Sequence, residues 1–428
     1  MFTLDQPLFL PATKADWLRQ VQRDLKDDLA CERLRWHTPD GFVVEPYYTG
    51  EVVFPVGEPS GADRQKSTLG WLNAPESTLT GNAKTDSTTL RNALTNGADA
   101  LVLTITKTTD LTRLIDGIKL STSPVFFRIQ DGLSAIELIA NVKQIAPYQL
   151  KGGLLLDPVA TSRFSTDSAR AELVEVTRKT LDSPQFGTVC ADGSVFHNAG
   201  ATATQELAFA LGSLADQYDE LTDNNLTINQ LPAKTIVSVS VGTSYFLEIA
   251  KLRALRVLLN QFFSAYPSSP SSLVLFPFIH CQTSAFYEQT ASPYTNLLRA
   301  TTGAMSAVIG GCDALTVRPY DAKTGNVSGQ ATDFSARIAR NVSSLFRHEA
   351  YFGAVSDPAA GSYYVENLTQ QLTESAWTLF LEVENRGGLT QAIASGFVAA
   401  EIDRSFRAKQ ENFASGERVV VGVNKFQE

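Results

Sequence analysis

From Leu69 onward, short apolar runs alternate with segments whose apolar residues step by three and four positions. The runs Gly70–Asn73, Leu101–Ile105, Val125–Ile129, Leu154–Asp157, Thr188–Ala191, Ile236–Val241, Leu273–Ile279 and Ala314–Arg318 are predicted strands. Several are continuous rather than alternating, as expected of parallel strands covered on both faces. Helical spacing occupies Ala169–Leu181, Thr204–Gln217, Phe246–Phe263 and Tyr294–Val308 between them. Eight strands with intervening helices over roughly 250 residues predict an α/β fold of the (β/α)8 TIM-barrel kind. A doubly wound open sheet competes with it, because the first run is weak.

Both ends add helices to that core. Trp17, Val21, Leu25 and Leu29 step by four through a charged segment, which predicts an amphipathic N-terminal helix. Two or three further helices are expected over Asp333–His348, Leu368–Arg386 and Thr390–Gln410, the first with Phe334, Ile338, Val342 and Leu345 on one face. The division expected is an arm over residues 1–40 and a barrel with its C-terminal helices over 41–428. Gly57–Ser67 reads as a loop, and Asp216–Asn229 as a polar connector that partly extends a helix.

A hydrophobic content of 43% supports a large core, and a net charge of −9 with no long Lys/Arg block argues against nucleic acid or anionic membrane as partner. No apolar segment reaches the roughly 18 residues of a membrane span. The N-terminus has no basic segment ahead of an apolar run, so no signal peptide is expected. The four widely spaced cysteines read as reduced, buried thiols in a cytoplasmic protein, and no nucleotide-binding glycine motif follows a strand.

In a barrel, functional side chains gather at the C-terminal strand ends. Those positions offer Arg128, Asp131, Asp157, Asp192, His197, Ser244, Tyr245, His280, Gln282, Arg318, Tyr320 and Asp321. No pair has the spacing of a nucleophile with its base. Asp157 precedes Pro158, which suits a turn. His197 opens a segment ahead of a helix, which suits a cap. His280 and Gln282 lie two apart, on one side of an extended chain, and suit hydrogen bonding to an acyl thioester, with a structurally satisfied strand-end histidine as the equal alternative.

Six ordered blocks extend this reading. They are LRWHTPDGFVVEPYYT (Leu34–Thr49), AGATATQELAFAL (Ala199–Leu211), FLEIAKLRALR (Phe246–Arg256), HCQTS (His280–Ser284), Pro293–Gly311, and Thr332–Glu366 with its DPAAGSYYVE. In that order the chain resembles the methylmalonyl-CoA mutase family. The resemblance implies the barrel, and for active members an adenosylcobalamin radical reaction that rearranges an acyl-CoA carbon skeleton. It makes Tyr48, His280, Gln282 and Ser284 the candidate substrate-binding residues.

The departures from that pattern point elsewhere. The family's Tyr/Arg-rich run is replaced by STLGWLNAPE (Ser67–Glu76), its catalytic His block by VFHNAG (Val195–Gly200), and its LHTN…DEA segment by LTVRPYDAK (Leu315–Lys323). His197 falls two positions from the family's catalytic His. The chain ends at Glu428 without a DxHxxG cobalt-binding motif. The resemblance is therefore to the small subunit of a heterodimeric mutase. It implies a chain without catalytic or metal-binding residues of its own, partnered by a large subunit that holds adenosylcobalamin. The alternative is the substrate-binding half of a split acyl-CoA mutase, and a third possibility is a free-standing ligand-binding barrel.

Overall fold

The computed structural model describes residues 12–26, 30–50, 69–130, 132–266, 277–323 and 332–427. Eight parallel strand positions follow one another in chain order and close on themselves. The first comprises Leu72–Asn73 and Glu76–Ser77, joined through Ala74 and Pro75. The second to fourth are Leu101–Ile105, Val125–Ile129 and Lys151–Leu154. The fifth comprises Gln185–Gly187 and Val189–Asp192. The sixth to eighth are Thr235–Val241, Phe278–Thr283 and Ala314–Thr316. Glu76 pairs with Val102 on one side, while Leu72 pairs with Ala314 on the other, so the eighth strand returns to the first. This is the (β/α)8 barrel rather than the open sheet.

Of the boundaries that differ from the sequence reading, three bear on the site and the C-terminal shell. The fourth strand is Lys151–Leu154, not Leu154–Asp157. Gly152 and Gly153 look like breakers, yet a Cβ on Gly152 would lie 2.1 Å from the Val125 oxygen. A Cβ on Gly153 would lie 2.5 Å from both the Gly187 oxygen and Ile236 Cδ1, so here glycine permits close strand approach. The seventh strand runs on through Phe278–Thr283, placing His280 mid-strand rather than at an end; residues 267–276 of the expected run lie outside those described. At the C-terminus the expected Thr390–Gln410 helix is two, Leu389–Ala394 and Phe397–Ala414, divided at Gly396 with φ +79°.

Helix faces show one further correction. In Asp333–His348 the buried positions are Ser335, Ala339, Val342, Ser343 and Phe346, while Phe334 and Leu345 are exposed. The N-terminal helix Lys14–Leu25 has a Thr13/Asp16 capping box but buries none of its residues fully. Trp17 rests on Tyr47 at a ring separation of 5.2 Å, and Leu25 is exposed. Leu29 and Gly57–Ser67 lie outside the described residues. Asp216–Asp223 continues the Ala203–Asp223 helix, so only the end of that polar connector is loop. No helix among the described residues is long and apolar enough to cross a membrane.

Candidate functional site

The barrel interior is filled in layers. Leu72, Ala74, Ala100, Val102, Phe126, Leu155, Cys190, Ile236, Phe278 and Ala314 form one apolar cluster inside it. Phe126 comes from the third strand and Phe278 from the seventh, which stand opposite each other in a ring of eight. Their rings nevertheless meet at a centroid separation of 5.5 Å. Two aromatic rings in contact across the axis leave no space for a chain-like ligand to thread between them.

His280 forms the next layer and is fully buried. Its Nε2 lies 2.9 Å from Thr316 Oγ1, and its Nδ1 lies 3.1 Å from Ser238 Oγ. Thr316 donates its own proton to the Ala74 oxygen at 2.6 Å, so it accepts from His280 Nε2–H. Nδ1 is then the acceptor for the Ser238 hydroxyl. Burial, reinforced by the nearby Arg128 charge, pushes the His280 pKa down to about 3, so the imidazole is neutral. Both ring nitrogens are committed to the barrel wall.

Arg128 crosses the C-terminal mouth above it. Its Nη2 donates to Gln282 Oε1 at 2.9 Å on the opposite strand. Ion pairs connect it to Glu76 on the first strand at 3.6 Å and to Asp192 on the fifth at 3.8 Å, again opposite strands. Gln282 and Asp192 are buried, so the guanidinium is a cross-brace rather than a free cation. Asp131 lies outside the described residues.

Ser284 sits one alternation above Gln282 and turns to the rim. Its Oγ is 2.8 Å from His197 Nε2 and accepts from the Phe286 amide at 3.1 Å. His197 is buried in the short Gly193–Ala199 helix, with Nδ1 3.1 Å from Glu206 Oε2. Lys251 Nζ joins the same carboxylate at 2.6 Å and reaches Glu248 at 2.6 Å. Burial alone would push the Glu206 pKa up, but Lys251 and His197 together hold it at about 2. Hydroxyl, imidazole and carboxylate thus stand in the order of a nucleophilic triad. The carboxylate, however, is saturated by a buried lysine, and the hydroxyl also accepts from a backbone amide. The cap expected near His197 is instead Thr202, whose hydroxyl accepts from the Gln205 amide while Gln205 Oε1 accepts from the Thr202 amide.

Tyr48 belongs elsewhere. Its hydroxyl accepts from the Glu45 amide at 3.0 Å, and its ring packs edge-on against Tyr364 of the Tyr363–Asn385 helix. Of the candidate substrate residues, then, His280 and Gln282 share the barrel interior, Ser284 joins His197 at the rim, and Tyr48 packs under the C-terminal helices. Asp157 is buried and accepts from the amides of Val159, Ala160 and Asp192 and from Ser213, as its turn reading expects. Burial raises its pKa to about 6.

Several of the resembling blocks are tied together by buried polar contacts. Asp40 of the first block accepts from the Thr204 amide of the second at 2.7 Å. Glu206 of the second pairs with Lys251 of the third. Arg253 of the third pairs with Asp357 at 3.1 Å and Glu366 at 2.7 Å in the last. Glu206, Lys251, Ser238, Thr316 and Glu76 were not singled out from sequence. The TIVSVSV run carried a signal for Ser238, because its serines fall on one face of an otherwise apolar strand.

Cobalt ligation needs an imidazole nitrogen free to coordinate. Neither His197 nor His280 offers one, and His37 and His348 lie on an exposed hairpin and at an exposed helix end. No group of three His, Cys, Asp or Glu side chains is placed to hold a metal among the described residues. These residues do not fit the corrin's metal.

Comparison with known proteins matches residues 95–428 to the methylmalonyl-CoA mutase family. The chain is 30% identical to the methylmalonyl-CoA mutase small subunit of Porphyromonas gingivalis, over 98% of its own length and 70% of that protein. It is 30% identical to the small subunit of Streptomyces virginiae, over 98% of itself and 71% of the relative. Against the methylmalonyl-CoA mutase of Rhizobium meliloti it is 29% identical, covering 97% of itself and 64% of that protein.

Proposed function

The chain belongs to the methylmalonyl-CoA mutase family, and on that premise we propose that it serves as a non-catalytic small subunit supporting a large catalytic partner. The observation that carries this is the closed barrel axis. In the active family the acyl-CoA is held inside the barrel; here Phe126 meets Phe278 across that path, and Arg128 braces the mouth above. His280 and Gln282 keep the residue types of the substrate-contacting motif, but spend their hydrogen bonds on Ser238, Thr316 and Arg128.

Adenosylcobalamin, which supplies the radical in the family reaction, is assigned in this reading to the partner. The chain's own residues contribute a rigid barrel and the surface that meets the large subunit. The names of the relatives from Porphyromonas gingivalis and Streptomyces virginiae, both small subunits, support the small-subunit part of this reading. The exposed Trp36, Val43 and Tyr47 beside the N-terminal helix make that end the proposed contact.

The test is reconstitution. The chain should co-purify with a family large subunit and raise its yield or stability, and alone it should bind no cobalamin, and no acyl-CoA more tightly than AMP. Stoichiometric cobalamin uptake by the purified chain, or isomerisation with only a cobalamin-binding chain added, would sink the reading. In the mixed complex, substitutions at His280 should leave KM for the acyl-CoA unchanged.

A further inference from the structure

At the rim, a cleft opens between the ends of the sixth to eighth strands and the first turns of the Pro293–Ile309 helix, lined in part by Thr243, Thr283, Tyr287, Asn296, Arg299 and Arg318. Its charge runs against that of the chain. Arg318 is neutralised by Glu288 at 2.7 Å. Three further cations reach lining residues, and every hydrogen-bond acceptor they use there is uncharged. Arg299 donates to Asn296 Oδ1 at 2.8 Å and to the Val421 oxygen at 2.6 Å. Arg418 donates to Thr243 Oγ1 at 2.9 Å, with its guanidinium 4.6 Å from the centre of the Tyr287 ring. Lys323 donates to the backbone oxygen of Glu288 at 3.2 Å.

Four cations thus surround the cleft, and among the described residues Glu288 is the one carboxylate that lines it; Glu248, beside Gly242 and Tyr287, is paired with Lys251 at 2.6 Å. Asp321 lies next in sequence to the lining Tyr320, but its carboxylate is taken up by Thr332 and Ser335. Arg299 and Arg418 are half-buried, and burial lowers the Arg299 pKa, the sign of a charge held partly out of water without a counter-charge. The adjoining helix starts at Pro293 with no side-chain cap from Ser292, which leaves its positive dipole end without that partner. Guanidinium groups in such an arrangement are matched to tetrahedral oxyanions, and barrels commonly hold phosphate near the last two strands.

We propose that this rim cleft binds a phosphoryl group, as inorganic phosphate or as part of a phosphomonoester, through Arg299, Arg418 and Lys323. The site lies beside the plugged axis and needs neither an open barrel nor a partner, so it stands or falls separately from the subunit assignment.

The experiment is calorimetric titration of the full chain at low ionic strength with inorganic phosphate, AMP and acetate. Phosphate should bind saturably at one site per chain, and Arg299→Gln or Arg418→Gln should each weaken it about tenfold or more, the loss of one charge-assisted hydrogen bond. Circular dichroism and the melting temperature of each variant show whether the fold is kept, and Arg19→Gln, on the exposed N-terminal helix, should bind as the parent does. Tighter binding of AMP, with competition against phosphate, identifies a phosphomonoester as the ligand; tighter binding of phosphate identifies the free ion. Absence of saturable heat in millimolar phosphate, equal binding of acetate, or equal loss in Arg19→Gln overturns the proposal.

Discussion

The Ala135–Ile145 helix covers the early strands with Ala135, Leu138, Ile139 and Val142, an ordinary apolar face. The Tyr245–Ser264 helix covers the later strands and buries Glu248, Lys251, Arg253 and Arg256 along with its leucines. The difference follows from what lies outside each. The first helix has solvent on its far side and needs one apolar stripe. The second is sandwiched between the barrel and the Tyr363–Asn385 helix, so charges on it have no water to return to. Each is answered from a different part of the chain: Lys251 by Glu206, Arg253 by Asp357 and Glu366, Arg256 by Asp313. One half of the shell is held by area alone, the other by area with buried charges that must stay paired.

The largest consequence is asymmetric. Lys251→Met leaves Glu206 and Glu248 facing each other without a cation, and should lower stability by about 3–5 kcal/mol in urea unfolding. Adding Glu206→Gln and Glu248→Gln to that variant should restore most of the loss, because no unpaired charge then remains. A single variant within the usual surface range, or a triple variant worse than the single, would break the contrast between the halves. Arg253→Gln comes next, at about 2–3 kcal/mol for charge-assisted bonds to Asp357 and Glu366. Its effect should be local as well: amide exchange should rise first in the Tyr363–Asn385 helix.

The same contrast governs how much could be read from the chain. The strand order and most helices were legible, because apolar runs and three-four spacing report directly on burial against a sheet. The fourth strand was misplaced because Gly152 and Gly153 act through what they do not carry, which no local pattern shows. The plug was not legible. Phe126 and Phe278 are unremarkable members of apolar runs, and only closure of the ring sets them face to face. The family blocks located the later half well, yet their charges looked like solvated helix residues until the C-terminal helices were in place. Tyr48 shows the converse, since motif position suggested a site and geometry gives it packing partners.

The pH dependence separates the axis from the shell. The unfolded His280 imidazole takes up a proton below its ordinary pKa of 6.5, whereas the folded one refuses it down to about 3. Its contribution is therefore complete above pH 6.5 and is lost as pH falls toward 3, with a slope of up to about 1.4 kcal/mol per pH unit. Asp157, raised to about 6, works in the opposite sense by favouring the protonated folded form. The difference between parent and His280→Asn isolates the histidine. Urea midpoints for the variant should fall less steeply between pH 6.5 and 4.5 than those of the parent. Parallel lines would mean that the imidazole is not held neutral inside the barrel.

The smallest expected effect is the control that gives the others meaning. Ile139 is fully buried on the Ala135–Ile145 helix within the apolar cluster of the early strands, and Ile139→Val removes one methylene without exposing a polar atom. The loss should be about 0.5–1.5 kcal/mol, the transfer of that group plus a small cavity. It should be the same at pH 5 and pH 8, since no titrating group depends on it. If instead it shifts with pH, then the early half is coupled to titrating groups elsewhere in the molecule. The division into a half held by area alone and a half that adds paired buried charges would then fail at the point where it is simplest to test.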